Sequence, residues 1–308
     1  MAGRCSGDPT DRCWRTGHLR DRYRWSGTIS GMAATLYLVG TPIGNRGDLA
    51  PRAVETLESV DLIAAEDTRR TGRLLKAFDI RTPLVSFFEG NERERTDELV
   101  ARLRDGADVG LVTDGGMPSV SDPGYRLVRA CADAEIDVRV VPGPSSAIAA
   151  LVVSGLPTDR FAFEGFLPRA REARRSRLAS LKEDPRTLVL FESPRRVRAL
   201  LADALDVLGD RPAALARELT KLHEEVVRGS ISDLVDHLGD RDPKGEVVLV
   251  LGGAHSPVPD MELCVAEARA LVAGGMPKRD AARTVADRAG VSTNDVYQAL
   301  LERGRETT

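Results

Sequence analysis

Cysteine and histidine are scarce in this chain of 308 residues, and neither is arranged for metal binding. Cys5, Cys13, Cys131 and Cys264 include no pair at metal-ligand spacing and form no disulfide framework. Cys131 and Cys264 fall within apolar helical patterns and read as core, as expected in a reducing cytoplasm. The histidines (His18, His223, His237, His255) share no ligand spacing either, so no metal is expected. No apolar run reaches the roughly 18 residues a membrane-spanning helix needs. An excess of positive charge is also missing: 44 Lys and Arg stand against 47 Asp and Glu, a net charge of −3. That excludes nucleic-acid binding over the whole surface and leaves room only for a local basic patch. Residues 1–31, rich in Arg, Gly and Ser, lack the apolar segment of a signal peptide. They are expected to be a disordered tail or a misplaced start, with Met32 as the natural beginning.

What is present is a regular alternation of strand and helix. Thr35 to Val39 reads as a strand, followed by a glycine-rich loop to Gly47, with Asp48 expected to cap the next helix. Strands are expected at 61–65, 84–87, 109–113 and 138–141. Helices are expected around 74–78 and at 91–104, 125–134 and 145–153. Such alternation implies right-handed crossovers and a mostly parallel sheet. A second unit starts near Leu156, with strands at 161–166, 187–192, 213–217, 225–229 and 246–251 and a helix at 171–181; its order suggests a mixed sheet. A linker at 253–259 ends it, and about three short helices follow. The expected domains are therefore 32–155, 156–253 and 260–308.

Ligands on parallel sheets sit beyond the carboxyl ends of the strands, and the unusual loops lie there. Gly40-Thr41-Pro42-Ile43-Gly44-Asn45 is either a tight turn or a close-approach loop for a ligand. Thr113 to Gly124 crowds glycines, prolines and aspartates into a connection longer than a turn requires. Asp114 there is suited to accept from an amino group or a ribose, whereas Asp122-Pro123-Gly124 also reads as plain helix-entry chemistry. Ser145 and Ser146 either cap a helix or bond a ligand, and Asp67 either caps the next helix or serves the site. In the second unit Arg169, Arg171, Arg174, Arg175 and Arg177 form a dense cationic segment, either a solvated helix face or a patch for a phosphate backbone.

Several runs, in this order, carry a resemblance: Leu36-Tyr37-Leu38-Val39-Gly40-Thr41-Pro42-Ile43-Gly44-Asn45, Ala64-Ala65-Glu66-Asp67-Thr68-Arg69, Thr113-Asp114-Gly115-Gly116-Met117-Pro118 with Ser121-Asp122-Pro123-Gly124, Pro142-Gly143-Pro144-Ser145, Phe163-Glu164-Gly165-Phe166-Leu167-Pro168, Phe191-Glu192-Ser193 and Arg217-Glu218-Leu219-Thr220-Lys221. From Thr35 to the C-terminus the chain resembles the 16S ribosomal RNA ribose-2′-O-methyltransferase I family of the tetrapyrrole-methylase superfamily. The resemblance implies an α/β, two-domain tetrapyrrole-methylase-like fold: an N-terminal mostly parallel sheet, a C-terminal mixed sheet and a small helical C-terminal extension. It further implies S-adenosyl-L-methionine in the cleft between the domains, a cytoplasmic homodimer, and methylation of a decoding-region cytidine in 16S rRNA or the 30S subunit.

On matching positions the resemblance places the cofactor against Pro42, Asp114, Gly115, Gly116, Ser119, Ser145, Ser146, Glu192, Leu219 and Gly245. Glu66, Asp67 and Lys221 are candidates for orienting or deprotonating the hydroxyl, on location alone. Gly115 stands where the family commonly has Ala. Arg195 stands where His is common, which argues against a histidine base. Two other readings remain: a methylase of a tetrapyrrole precursor, and a helix-turn-helix regulator built on the last helices around Gly290-Val291-Ser292.

Overall fold

Two strands of the first sheet bury every residue, the pattern of central parallel strands covered on both faces. These are β2 (Leu62–Ala65) and β4 (Val109–Val112). With β1 (Thr35–Val39), β3 (Leu84–Ser86) and β5 (Asp137–Val141) they form a wholly parallel sheet in the order β3-β2-β4-β1-β5. The structure, a computed structural model, describes residues 34–240, 243–254, 261–289 and 291–302. The expected N-terminal tail, part of the 253–259 linker and Gly290 lie outside the described residues.

Helices α1 (Pro51–Ser59), α2 (Thr68–Ala77), α3 (Glu92–Arg104) and α4 (Tyr125–Asp133) make the crossovers, and α5 (Ser146–Ser154) leads on to the second sheet. Asp48 does not cap α1, contrary to expectation. Residues Arg46–Asp48 are spent in a 3-10 turn whose Gly47 N–H is taken by the Asn45 side chain at 2.9 Å. The helix then starts at Pro51, where proline's missing N–H costs nothing. Asp67 does cap α2, its Oδ1 accepting from Arg69 N at 2.8 Å. The connections leaving the adjacent strands β1 and β4 run in opposite directions, which opens a crevice at their carboxyl ends.

The second sheet comprises β6 (Phe161–Phe166), β7 (Thr187–Glu192), β8 (Pro212–Arg217), β9 (Glu225–Ser230) and β10 (Val247–Leu251). Its order is β6-β7-β10-β8-β9, with β6 and β7 parallel and the other pairs antiparallel. Helices α6 (Arg171–Ser180), α7 (Val197–Leu208) and α8 (Ile231–Leu238) cover one face. The other face packs on α5: Ala147, Ala150 and Leu151 share a core with Val189, Ala214, Ala216, Val248 and Val250. The last helix of the first unit is thus a packed joint between the two sheets, and the crevice is held between fixed walls.

Between α6 and α7, the Arg174 guanidinium donates to Asp203 at 2.9 and 2.6 Å, with both side chains buried. Breaking such a pair leaves a buried charge without a partner, at a cost of roughly 3–5 kcal/mol. Helices α9 (Met261–Ala273), α10 (Lys278–Ala289) and α11 (Thr293–Glu302) form a small separate core around Cys264, Ala268, Val285 and Val296. Both Cys131 and Cys264 are buried, as read from the sequence. Among the described residues, no helix is long and apolar enough to cross a membrane.

Candidate active site

The crevice is a cleft of about 660 Å³, within the range that holds a small ligand. Its first wall is built by the loops after β1, β4 and β5. Thr41 and Gly116 exchange backbone bonds at 2.9 and 3.0 Å, which locks the first two loops together. Gly40 and Gly143 meet so closely that a Cβ on Gly143 would lie 2.7 Å from the Gly40 Cα. The loop from Asp114 to Gly124 carries Ser119 and Ser121 at φ 72° and 62°. Left-handed non-glycine residues cost energy and persist where surrounding structure enforces them, often at functional sites. Ser119 Oγ is buried with no hydrogen-bond partner, a polar atom left over from folding.

Three carboxylates converge here. Glu66, at the end of β2, accepts from Asp114 N at 3.2 Å. Asp114 accepts in turn from Asp67 N at 3.2 Å and from Arg70 Nη1 at 3.0 Å. Burial, reinforced by the Glu66 charge, pushes the Asp122 carboxyl up to about 6. Burial also raises Glu66, against the Asp114 N–H that favours its charged form.

The second wall comes from the other sheet. Phe166 and Phe191 meet edge to face at 5.6 Å. Glu192 is buried, bonded by Arg196 at 2.8 Å and by Ser193 N at 2.7 Å. Lys221 Nζ sits between Glu218 at 2.8 Å and Glu246 at 3.0 Å. Burial pulls the Lys221 ammonium down, but its two carboxylates outweigh this and hold it above its ordinary value. It therefore stays protonated and cannot serve as a base near neutrality. The walls are joined where Asn45 N donates to Thr220 Oγ1 at 3.2 Å.

Among the residues anticipated from sequence, Pro42, Glu66, Asp114, Gly115, Gly116, Ser145, Ser146, Glu192, Lys221 and Gly245 all line this cleft. Asp67 does not: its carboxylate is used by the α2 N-terminus and Arg69, which hold it below the usual range. Ser119 and Leu219 stand behind the wall, Leu219 in the core beside α5. Ser145 caps α5 through Ile148 N at 3.5 Å and also faces the cleft, so both of its readings apply. Arg195 is exposed and does not line the cleft.

Sequence reasoning did not single out Asp122, Met117, Val120, Phe166, Phe191 or Glu246 as site residues, although each lines the cleft. For Asp122 the signal was its crowding with Asp114 in one long loop.

Of the arginine segment, Arg169 alone is exposed without an ion pair among the described residues, and the other four are paired. Arg174 is turned inward, which removes it from any phosphate patch. Arg171 and Arg175 also pair with Asp203, Arg175 pairs again with Asp206 at 2.6 Å, and Arg177 pairs with Glu164 at 2.6 Å. Among the described residues, no group of three or more His, Cys, Asp and Glu is placed to hold a metal ion.

Residues 35–235 match the family model of tetrapyrrole (corrin/porphyrin) methylases. The chain is 47 % identical over 271 residues to a ribosomal RNA small subunit methyltransferase I of Synechocystis sp., covering 87 % of this chain and 97 % of that protein. It is 47 % identical over 276 residues to the protein of the same name from Mycobacterium tuberculosis, covering 88 % and 96 %. Among solved structures, it resembles a uroporphyrin-III-C-methyltransferase from Thermus thermophilus (TM-score 0.51, 28 % identity, covering 71 % of this chain and 94 % of that one).

Proposed function

Because the chain belongs to the tetrapyrrole (corrin/porphyrin) methylases, and within them to the ribosomal RNA small subunit methyltransferase I family, we propose that its cleft binds S-adenosyl-L-methionine and directs its methyl group to the ribose 2′-hydroxyl of a decoding-region cytidine in 16S rRNA. The observation that carries this reading is the identity of 47 % across nearly the whole length of a protein so named.

The residues of the cleft fit the cofactor. Backbone at Gly40 and Gly143 leaves no room for side chains and so allows close approach. Phe166, Phe191, Met117 and Val120 supply apolar surface for a purine. Pro42, Asp114, Gly115, Gly116, Ser145, Ser146, Glu192 and Gly245 hold the cofactor, with Ser119 and Leu219 supporting from behind. When bound, S-adenosyl-L-methionine supplies an activated methyl group on a sulfonium. The protein's own task is alignment of the acceptor and removal of its proton. The ribose hydroxyl is a weak nucleophile, so a carboxylate that binds its proton near neutral pH is useful. Asp122 is that group and Glu66 its neighbour. Lys221 holds Glu218 and Glu246 in place as a permanent cation, and Asp67 shapes the start of α2.

Two copies of the chain form the working unit in this reading. β5 is a sheet edge, and Val140 on it is exposed, as are Ile148 and Val152 of α5. We assign this apolar edge to a second copy. Sedimentation equilibrium is expected to give twice the mass of the chain, and a monomer at micromolar concentration overturns the assignment. The cytoplasm, where ribosomes work, is the proposed location, and α9 to α11 are assigned to holding RNA. A tetrapyrrole-precursor methylase shares the fold but not the near full-length match. A regulator built on the last three helices leaves the cleft without a use.

Incubating the purified protein with methyl-labelled S-adenosyl-L-methionine and 30S subunits lacking the modification is expected to label the ribose of a single decoding-region cytidine. The same assay with free 16S rRNA distinguishes the two RNA substrates. A protein that binds the cofactor and labels neither overturns the RNA reading and shifts it to a small-molecule acceptor.

A further inference from the structure

The arginines of α6 already have carboxylate partners, whereas Arg46 and Arg73 at the mouth of the cleft have none among the described residues. Arg46, from the 3-10 turn after β1, and Arg70 and Arg73, on one face of α2, all line that mouth and all are exposed. Arg46 and Arg73 make no ion pair among the described residues, and Arg70 pairs only with Asp114, itself part of the site. In a chain of net charge −3, three guanidinium groups on the lip of a carboxylate-lined cleft form a local field of opposite sign to the whole. Such a field draws an anion to the lip while the carboxylates behind it repel one from the floor. A nucleotide that inserts its ribose into the cleft leaves its flanking phosphates at the entrance. Arginine's planar fork matches a phosphate with two parallel hydrogen bonds.

We propose that Arg46, Arg70 and Arg73 form a clamp for the RNA phosphates on either side of the target nucleotide, in place of the α6 arginines. The clamp rests on the RNA reading above. It makes binding to the substrate salt-dependent through this rim, and it leaves α6 with a structural role.

The test compares R46Q/R73Q with R169Q/R177Q in the full-length protein. Each variant's affinity for unmodified 30S subunits and for a labelled decoding-region RNA fragment is measured across a salt series, and its affinity for S-adenosyl-L-methionine by calorimetry. Arg46 and Arg73 are exposed without an ion pair among the described residues, so R46Q/R73Q is expected to melt as wild type does, while R169Q/R177Q also gives up the Arg177–Glu164 pair and is expected to melt somewhat lower. R46Q/R73Q is expected to bind the fragment more weakly, with a log-affinity against log-salt slope shallower by about 1.4, two contacts at ~0.7 each for single strands. Its cofactor affinity should be unchanged, and R169Q/R177Q should keep the wild-type slope. A wild-type slope in R46Q/R73Q overturns the clamp. So does a loss confined to cofactor affinity, which would assign these arginines to the cofactor's own carboxylate. A wild-type protein that binds cofactor but neither RNA probe overturns the RNA reading itself, and the clamp with it.

Discussion

The Asp122→Asn variant is expected to transfer methyl groups about 10²–10⁴-fold more slowly than wild type, the usual contribution of a positioned general base, while melting at a higher temperature at pH 8. Both effects follow from one environment. Burial and the neighbouring Glu66 raise the Asp122 carboxyl to about 6, against an ordinary value near 3.8. Below pH ~4 the group is protonated in folded and unfolded chains alike, and contributes nothing to their difference. Between about 4 and 6 the folded protein keeps a proton that the unfolded chain releases, so stability falls as pH rises. Above 6 the deficit is complete and constant. Asparagine carries no such deficit, so the variant gains stability above pH 6 and matches wild type below 4.

The rate has the opposite dependence. Wild-type kcat/KM should rise through pH ~6 as Asp122 ionises and then level off, and this limb should be missing in Asp122→Asn. Glu66→Gln removes the neighbouring charge and should move the limb to lower pH. Rates from pH 5 to 9 and melting curves at pH 4 and 8 test all of this. A variant that keeps the wild-type rate, or loses stability together with rate, removes Asp122 from the base role and returns it to the helix-entry function its sequence context also permits.

Strand ends and the loops that follow them were legible because period, glycine and proline act locally. Every loop placed at a carboxyl end in the first unit from sequence contributes to the cleft. Charge partners were not legible, because they come from distant parts of the chain. Three arginines of α6, Arg171, Arg174 and Arg175, stand 28 to 32 residues before Asp203, on a different helix, and composition alone cannot pair them. The same limit separates Asp67 from Asp122. Both are aspartates beside a helix start, and only the fold turns one into a cap and the other into a buried neighbour of Glu66. Asp48 misled for a local reason: a cap residue preceded a proline that suits the first helical position better. Helices α7 and α8 stand where only connections between strands were read, although Leu200, Leu201, Ala204 and Leu208 carry helical spacing. That α5 would pack on the second sheet could not be read from its nearly all-apolar sequence, which marks a buried helix without saying against what.

Replacing Gly143 by alanine is expected to lower affinity for S-adenosyl-L-methionine by about one to two orders of magnitude, and to lower the melting temperature as well. Gly143 is needed for proximity and not for its φ. The added Cβ would lie 2.7, 2.8 and 2.9 Å from the Cα, C and O of Gly40, which are all backbone atoms. A side chain can swing away, but here the carboxyl end of β1 must part from the loop after β5. Gly40 N, which donates to Val141 O at 2.9 Å, is the bond most exposed to that shift. Overpacking of this kind costs roughly 1–3 kcal/mol, and every ~1.4 kcal/mol that falls on the bound geometry is a tenfold loss of affinity. Displacement of Gly40 carries Thr41 with it, and with Thr41 the paired bonds to Gly116 that set the Asp114 turn. Ser145, two residues beyond Gly143, moves from the other side. Gly115→Ala is the matched control. Its Cβ would come tighter than ordinary contact to the Pro42 carbonyl oxygen alone, at 3.1 Å, and its φ lies outside the left-handed region, so a shift of a few tenths of an ångström accommodates it. Near wild-type affinity is expected there. If Gly143→Ala binds the cofactor normally while Gly115→Ala does not, the ligand is held by the Asp114 turn alone, and the meeting of the β1 and β5 loops serves the sheet and not the site.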